Sequence, residues 1–262
     1  MPPPQKPKSF DRRAREFLYP EEIKAIISSA AVKSRNPQRD STLIAIAFCH
    51  ALQPVEIASL QWQHVNFAEK LEPHQATQAT LTIYRNRRRG AYFQELIPDI
   101  HLLSCAEVKA LRQLAQEYKG AALLFPSERR HQLSARSLHH IVAQAGVAAG
   151  LEFPIHPYML RHSGALYRAA LLLRKNPEIT FQECRLTWLR YGTFTKISDE
   201  DLKEFQSIDR HKVDAIWKII ERIRSFVGIY SYAPAAEYIL QVFAAYPNYE
   251  RLPTDFCFEP PE

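Results

Sequence analysis

Apolar positions recur at helical spacing along most of the chain. A helix is predicted from Tyr19-Pro20-Glu21-Glu22. Pro20 suits a first turn, the glutamates suit the positive end of the dipole, and Ile23, Ile26 and Ile27 form an apolar stripe. Residues 34–39 read as a polar turn, and a second helix is predicted from Asp40, as its N-cap, through Cys49. Pro54 opens a third, with Val55, Ile57, Ala58 and Leu60 near one face. The period then shortens. Leu81–Tyr84 and Tyr92–Ile97 are strand-like and flank Arg85–Gly90, read as a hairpin turn with a basic tip. Helices are expected at 104–118 and at 134–149, the second closed by Gly150. Another opens at Pro157, runs to Leu173 and is broken by Arg174-Lys175-Asn176-Pro177. Residues 178–190 are again helical in pattern. One long amphipathic helix is predicted over 199–226, with Val213, Ile216, Trp217, Ile220, Ile223 and Phe226 on one side. A last helix is predicted from Pro234 to Ala245, before a proline-rich tail. The fold class is mainly α with a small antiparallel β-sheet.

Composition narrows the functional classes. At 262 residues, 46% of them hydrophobic, the chain holds a full core. No apolar run approaches the roughly 18 residues of a membrane span, and the proline-led start has no signal-peptide core. Cys49, Cys105, Cys184 and Cys257 are widely spaced and match neither a metal site nor a disulfide framework. They read as free thiols in a reducing cytoplasm, with no metal and no cofactor. The net charge of +6 points to an anionic partner. The charge is clustered at Arg12, Arg13 and Arg15, at Arg85, Arg87, Arg88 and Arg89, and at Arg129, Arg130 and His131.

The most specific segment is His156-Pro157-Tyr158-Met159-Leu160-Arg161-His162. It sets an arginine on the first turns of a helix, where a guanidinium can hold a phosphate through two parallel hydrogen bonds. The segment resembles the second-arginine box of the tyrosine recombinases, the phage integrase family, in the form found in the fimbrial phase-switch recombinases. The likeness extends over residues 18–175. Ala51-Leu52-Gln53-Pro54-Val55-Glu56-Ile57-Ala58-Ser59-Leu60 is similar to the family's first box, Gly-Leu-Arg-x-Ser-Glu-Leu-x-x-Leu. The 81–97 hairpin lies where the family places its lysine-bearing β turn, and Leu133-Ser134 opening a helix toward Gly150-Leu151 follows the family order. The resemblance implies a DNA breaking-rejoining catalytic-domain fold.

It also implies a chemistry that this chain matches only in part. Family members cut DNA by attack of a tyrosine hydroxyl on a phosphodiester, with two arginines neutralising the phosphate and a hairpin lysine protonating the leaving oxygen. Arg161 matches the second arginine. Gln53 stands at the first, where it is either a neutral hydrogen-bond donor or a helix-cap residue. Arg88 or Arg89 occupies the lysine position and is a poor general acid, although a good phosphate clamp. Tyr158 replaces a histidine; with an ordinary phenol pKa of about 10 it is no base near neutrality. The last box, Leu-Gly-His followed by the nucleophile, is absent. Trp188 stands either at the histidine/tryptophan position or in the core, and Tyr191 lies near the nucleophile's distance from Arg161 without the box before it.

The expected organisation is a flexible basic arm over 1–17, a recombinase-like catalytic domain over 18–198 and a helical extension over 199–262. The chain is expected to begin at the catalytic domain, without a separate helical domain ahead of it. The favoured function is binding of duplex DNA without efficient cleavage, in a regulatory or accessory role. Arg161, the hairpin arginines, Arg129, Arg130 and the arm at Arg12, Arg13 and Arg15 would contact phosphates. The resemblance adds assembly on DNA through the C-terminal helices. Two alternatives remain. One is an active recombinase or integrase using Tyr191. The other is a protein-interaction scaffold presenting Tyr230, Tyr232, Tyr238, Phe243, Tyr246 and Tyr249, residues that fit a core equally well.

Overall fold

The computed structural model describes residues 15–67, 78–89, 93–192, 197–229, 231–253 and 256, with backbone alone for 86–89 and 93–95. Among these residues no helix is long and apolar enough to cross a membrane. The chain divides into two compact units. The first is Met1–Tyr84, Pro98–Ser163 and Phe256–Glu262; the second is Arg85–Ile97 and Gly164–Asp255.

In the first unit, α1 (Pro20–Lys33) and α2 (Pro37–Cys49) are followed by the short α3 (Pro54–Ser59), each opened by a proline in its first turn. α2 begins a turn earlier than its sequence suggests. Pro37, not Asp40, sets the start; Asp40 lies inside the helix, buried and paired with Arg39 at 2.7 Å. Along α2, Leu43, Ile44, Ala45, Ile46, Ala47 and Phe48 are all buried, so this helix is the spine of the unit's core. α4 (Cys105–Glu117) starts at Ser104, whose hydroxyl accepts the Glu107 N–H while the Glu107 carboxylate accepts the Ser104 N–H. α5 (Ala135–Ala148) starts at the N-cap Ser134, and Gly150 follows it at a left-handed φ of 81°. α6 (Pro157–Arg174) carries the arginine box, and the boundary between units falls within it.

β1 (Val65–Asn66), β2 (Thr80–Arg89) and β3 (Phe93–Leu102) form one three-stranded sheet in that order, with Val65 opposite Leu81 in the antiparallel β1–β2 pair. The strands run further than their apolar runs. Arg85–Arg89 belong to β2 rather than to a turn, and Leu81, Ile83 and Arg85 continue one inward-facing alternation.

The second unit packs α7 (Phe181–Tyr191), α8 (Asp199–Gln206), α9 (Arg210–Val227) and α10 (Tyr232–Ala245) with the later turns of α6. The long helix expected over 199–226 is two helices. Asp209 stops the first register and caps the next, its carboxylate accepting the His211 N–H at 2.7 Å. α9 buries Val213, Ile216, Ile219, Ile220, Ile223 and Val227. α10 begins at Tyr232, with Ser231 as its N-cap. Of the aromatics read as exposed, Tyr238, Tyr246 and Tyr249 are buried in this unit, while Tyr230 lies outside the described residues.

Candidate nucleic-acid interface

Two segments of the first unit meet Arg161 of α6. α2 ends in a left-handed turn: the Ala51 N–H donates to the Phe48 carbonyl and the Leu52 N–H to the Ala47 carbonyl. Glycine usually fills the left-handed position of such a turn, and here Ala51 holds it at a φ of 48°. The turn aims the Ala51 carbonyl inward, where it accepts a hydrogen bond from Arg161 Nη1 at 2.7 Å. α3 then presents Glu56. Its Oε2 accepts the Gln53 N–H at 2.7 Å and lies 3.6 Å from the same Nη1. Arg161 and Glu56 are both buried. The guanidinium is therefore held by a backbone carbonyl and half-neutralised by a carboxylate. Gln53 sits at the N-cap of α3, half-buried and uncharged. Tyr158, on the first turn of α6, is 50% exposed.

The chain ahead of α1 straps this region. The Leu18 N–H donates to Ser163 Oγ at 2.8 Å. Glu16 lies 3.6 Å from His156 Nε2. Arg15, read from the sequence as a phosphate contact, pairs with Glu22, donates to the Phe17 carbonyl and lies 4.4 Å over the Tyr19 ring. Its charge is engaged in anchoring the strap. Arg12 and Arg13 lie outside the described residues.

Arg85 also differs from its sequence reading. It is 2% exposed, and its guanidinium donates to the Val227 and Phe226 carbonyls at 2.6 and 2.8 Å. It thus satisfies the end of α9 within the second unit, where a cation complements the helix dipole. The side chains of Arg87, Arg88 and Arg89 lie outside the described set.

Arg129 and Arg130 are exposed on the loop before α5. With them goes a feature that the sequence reading missed. A cavity of about 700 Å³ in the first unit is lined by Lys33, Arg35, Arg129, Arg136 and His140, with Glu128 as its exposed acid. Arg35 pairs with Glu128 at 2.8 Å. Arg136 and His140 are four residues apart on the exposed face of α5, and that spacing is the signal that would have found them.

In the second unit Tyr191 ends α7 with 57% of its surface exposed. Its ring meets Phe205 and Trp217 edge-on, at 5.6 and 6.1 Å between centroids. Trp188 is half-buried, 6.4 Å from Trp217, and packs against Gly192, where an added Cβ would fall 1.9 Å from its ring. Cys184 is buried, and burial pushes its thiol up to about 12. Among the described residues no group of three or more His, Cys, Asp or Glu could hold a metal ion.

Residues 16–171 match the phage integrase family, and the chain belongs to that family. The fold is that of the tyrosine recombinase catalytic domain. The chain is 27% identical over 158 residues to the type 1 fimbriae regulatory protein FimB of Escherichia coli strain K12, covering 58% of this chain and 70% of that protein. It is also 27% identical over 155 residues to FimE of the same strain, covering 57% and 70%. Among solved structures it resembles the XerH site-specific recombinase bound to its difH substrate, with a TM-score of 0.53 at 15% identity. That match covers 90% of this chain, which spans about half (53%) of the XerH chain. The XerA recombinase is similar at a TM-score of 0.54 and 16% identity, over 90% of this chain and 66% of that one.

Proposed function

We propose that this protein binds duplex DNA through its phosphates and cuts it poorly, serving a regulatory or accessory role. The observation that carries this reading is the surroundings of Arg161. The family chemistry needs two cations on the phosphate, and here the first arginine position is the neutral Gln53, whose N–H is held by the same Glu56 carboxylate that meets Arg161. Removing one charged donor from a transition state costs about 3 kcal/mol, a rate factor of 10² or more. Binding suffers less, because it draws on many phosphate contacts. Arg129 and Arg136 on one surface and the exposed Arg130, with Arg12, Arg13 and Arg87–Arg89 elsewhere in the chain, supply them. The relatives' names agree in direction: FimB is a regulatory protein, and XerH was solved on its DNA substrate. Assembly of several copies on DNA through the C-terminal helices belongs to the same proposal.

The exposed phenol of Tyr191 favours a second reading, an active recombinase with that hydroxyl as nucleophile. Incubation with nicked and intact duplexes separates the two. The expected result is salt-sensitive binding with little covalent protein–DNA adduct, unchanged by Tyr191→Phe. An abundant adduct that disappears in Tyr191→Phe establishes the second reading instead. Gln53→Arg restores the missing charge and is expected to tighten binding at a fixed salt concentration.

A further inference from the structure

Behind the Ala51 turn lies a chain of four titratable groups, three of them buried, that the functional reading does not use. His50, the C-cap of α2 just before Ala51, faces His101 of β3 with their Nδ1 atoms 3.1 Å apart. On the far side of each ring is a carboxylate: Glu107 Oε1 of α4 lies 2.8 Å from His50 Nε2, and Asp99 Oδ2 of β3 lies 3.2 Å from His101 Nε2. His50, His101 and Glu107 are each less than a tenth exposed. The His50–Glu107 contact is close but poorly aligned for a hydrogen bond, so the attraction there is chiefly ionic.

An imidazole nitrogen facing a carboxylate is attracted when it bears a hydrogen, and the short space between the two Nδ1 atoms takes one hydrogen. The arrangement in which every contact attracts therefore has three hydrogens on the two rings, set between two carboxylates. Burial alone would push the Glu107 carboxyl up, yet the charge and contact of His50 and the Ser104 bonds hold it below the ordinary range, which agrees with a charged pair beside it.

We infer that the His50–His101 pair is a proton-dependent clamp that positions Arg161 by holding the end of α2. His50 precedes Ala51, whose strained left-handed turn aims the carbonyl that fixes Arg161 Nη1, with Glu56 on the other side of that turn. Asp99 and His101 from β3, Glu107 from α4, and Glu56 and Arg161 from α3 and α6 are the charged groups set around it. Losing one of these three hydrogens sets a lone pair against the other ring or against a carboxylate, and that repulsion loosens the α2 end and lets the carbonyl turn away. The clamp thus regulates the same phosphate grip, and this rests on the DNA-binding reading above.

The test uses the full chain and two measurements. His101→Asn keeps an amide near the Nδ1 position but does not titrate. Random duplex DNA is titrated at constant ionic strength between about pH 5 and about pH 8, the range in which histidine changes charge. Wild-type affinity is expected to fall about tenfold across that range and His101→Asn affinity to change much less, a coupling of ordinary size between two sites. Without DNA, the ¹⁵N resonances of the Arg161 guanidinium are followed over the same range. They are expected to move in wild type and to stay still in His101→Asn. Parallel DNA profiles for the two proteins, or an Arg161 signal that ignores pH in both, overturn the clamp. Absence of DNA binding with a pH-sensitive Arg161 signal leaves the clamp standing and removes the DNA reading instead.

Discussion

Three arginines that look alike in the sequence do different work. Arg15 is held by Glu22 and stacks on Tyr19, Arg85 closes a helix, and Arg161 is fixed beside a carboxylate. Ala51 is the residue at which backbone strain matters most. A left-handed alanine costs about 1–2 kcal/mol, and glycine there removes that cost while adding unfolded-state freedom. Ala51→Gly is therefore expected to stabilise by up to about 1 kcal/mol, read as a higher urea midpoint at unchanged slope. Glu56→Ala should act oppositely. It leaves the buried Arg161 charge without its carboxylate and the Gln53 N–H without its acceptor, a loss of about 3 kcal/mol measurable by the same titration. Glu107 makes a pH prediction. Its folded carboxyl titrates below its unfolded value, so its stabilisation is present above the unfolded value and is lost as pH falls through the folded one. Glu107→Gln should flatten the acid limb of the stability profile; an unchanged limb would refute this account.

The junction of β2 with the end of α9 joins a strand residue to a helix terminus 142 positions away in the chain. Gly228 has a left-handed φ of 69°, and a Cβ built on it falls 2.0 Å from Arg85 Cδ. Gly228→Ala therefore meets two penalties, backbone strain and the Arg85 side chain. It should destabilise by about 2 kcal/mol or more. In an Arg85→Ala background only the strain is left, so the second substitution should cost clearly less there than in wild type. Additive costs in that double-mutant cycle would show that the two residues do not share the site. The cap also shows why the apolar stripe placed the body of α9 but not its separation from α8. Stripes mark a helix body, but the break at Ser207-Ile208-Asp209 is set by a single capping carboxylate.

For the molecule as a whole, the basic surface around α5 and the loop ahead of it is the feature most directly measurable. If DNA phosphates lie against Arg129 and Arg136, each substitution to alanine should reduce the salt dependence of binding by about one counterion, across all sequences alike. Arg15→Ala should instead lower stability and leave that slope unchanged, because the Arg15 charge is satisfied within the protein. Equal slopes for all three variants would remove this surface from the interface.

Much was legible in the order of residues because it is encoded locally. Proline at the first turn, glycine after the last, apolar stripes and a seven-residue arginine box are all short-range signals, and they sufficed for most of the helices, the fold class and the family. The charges were another matter. Whether an arginine faces water, a helix end or a carboxylate depends on partners far along the chain, as Arg85 and Arg161 show with acceptors 142 and 110 residues away. The strand alternation through Leu81, Ile83 and Arg85 hinted at the first, yet a burial this costly stands only when folding delivers the carbonyls that satisfy it. The paired histidines depend on the same long-range closure. Nothing local joins His50 to His101, and their contact exists because the end of α2, β3 and α4 meet.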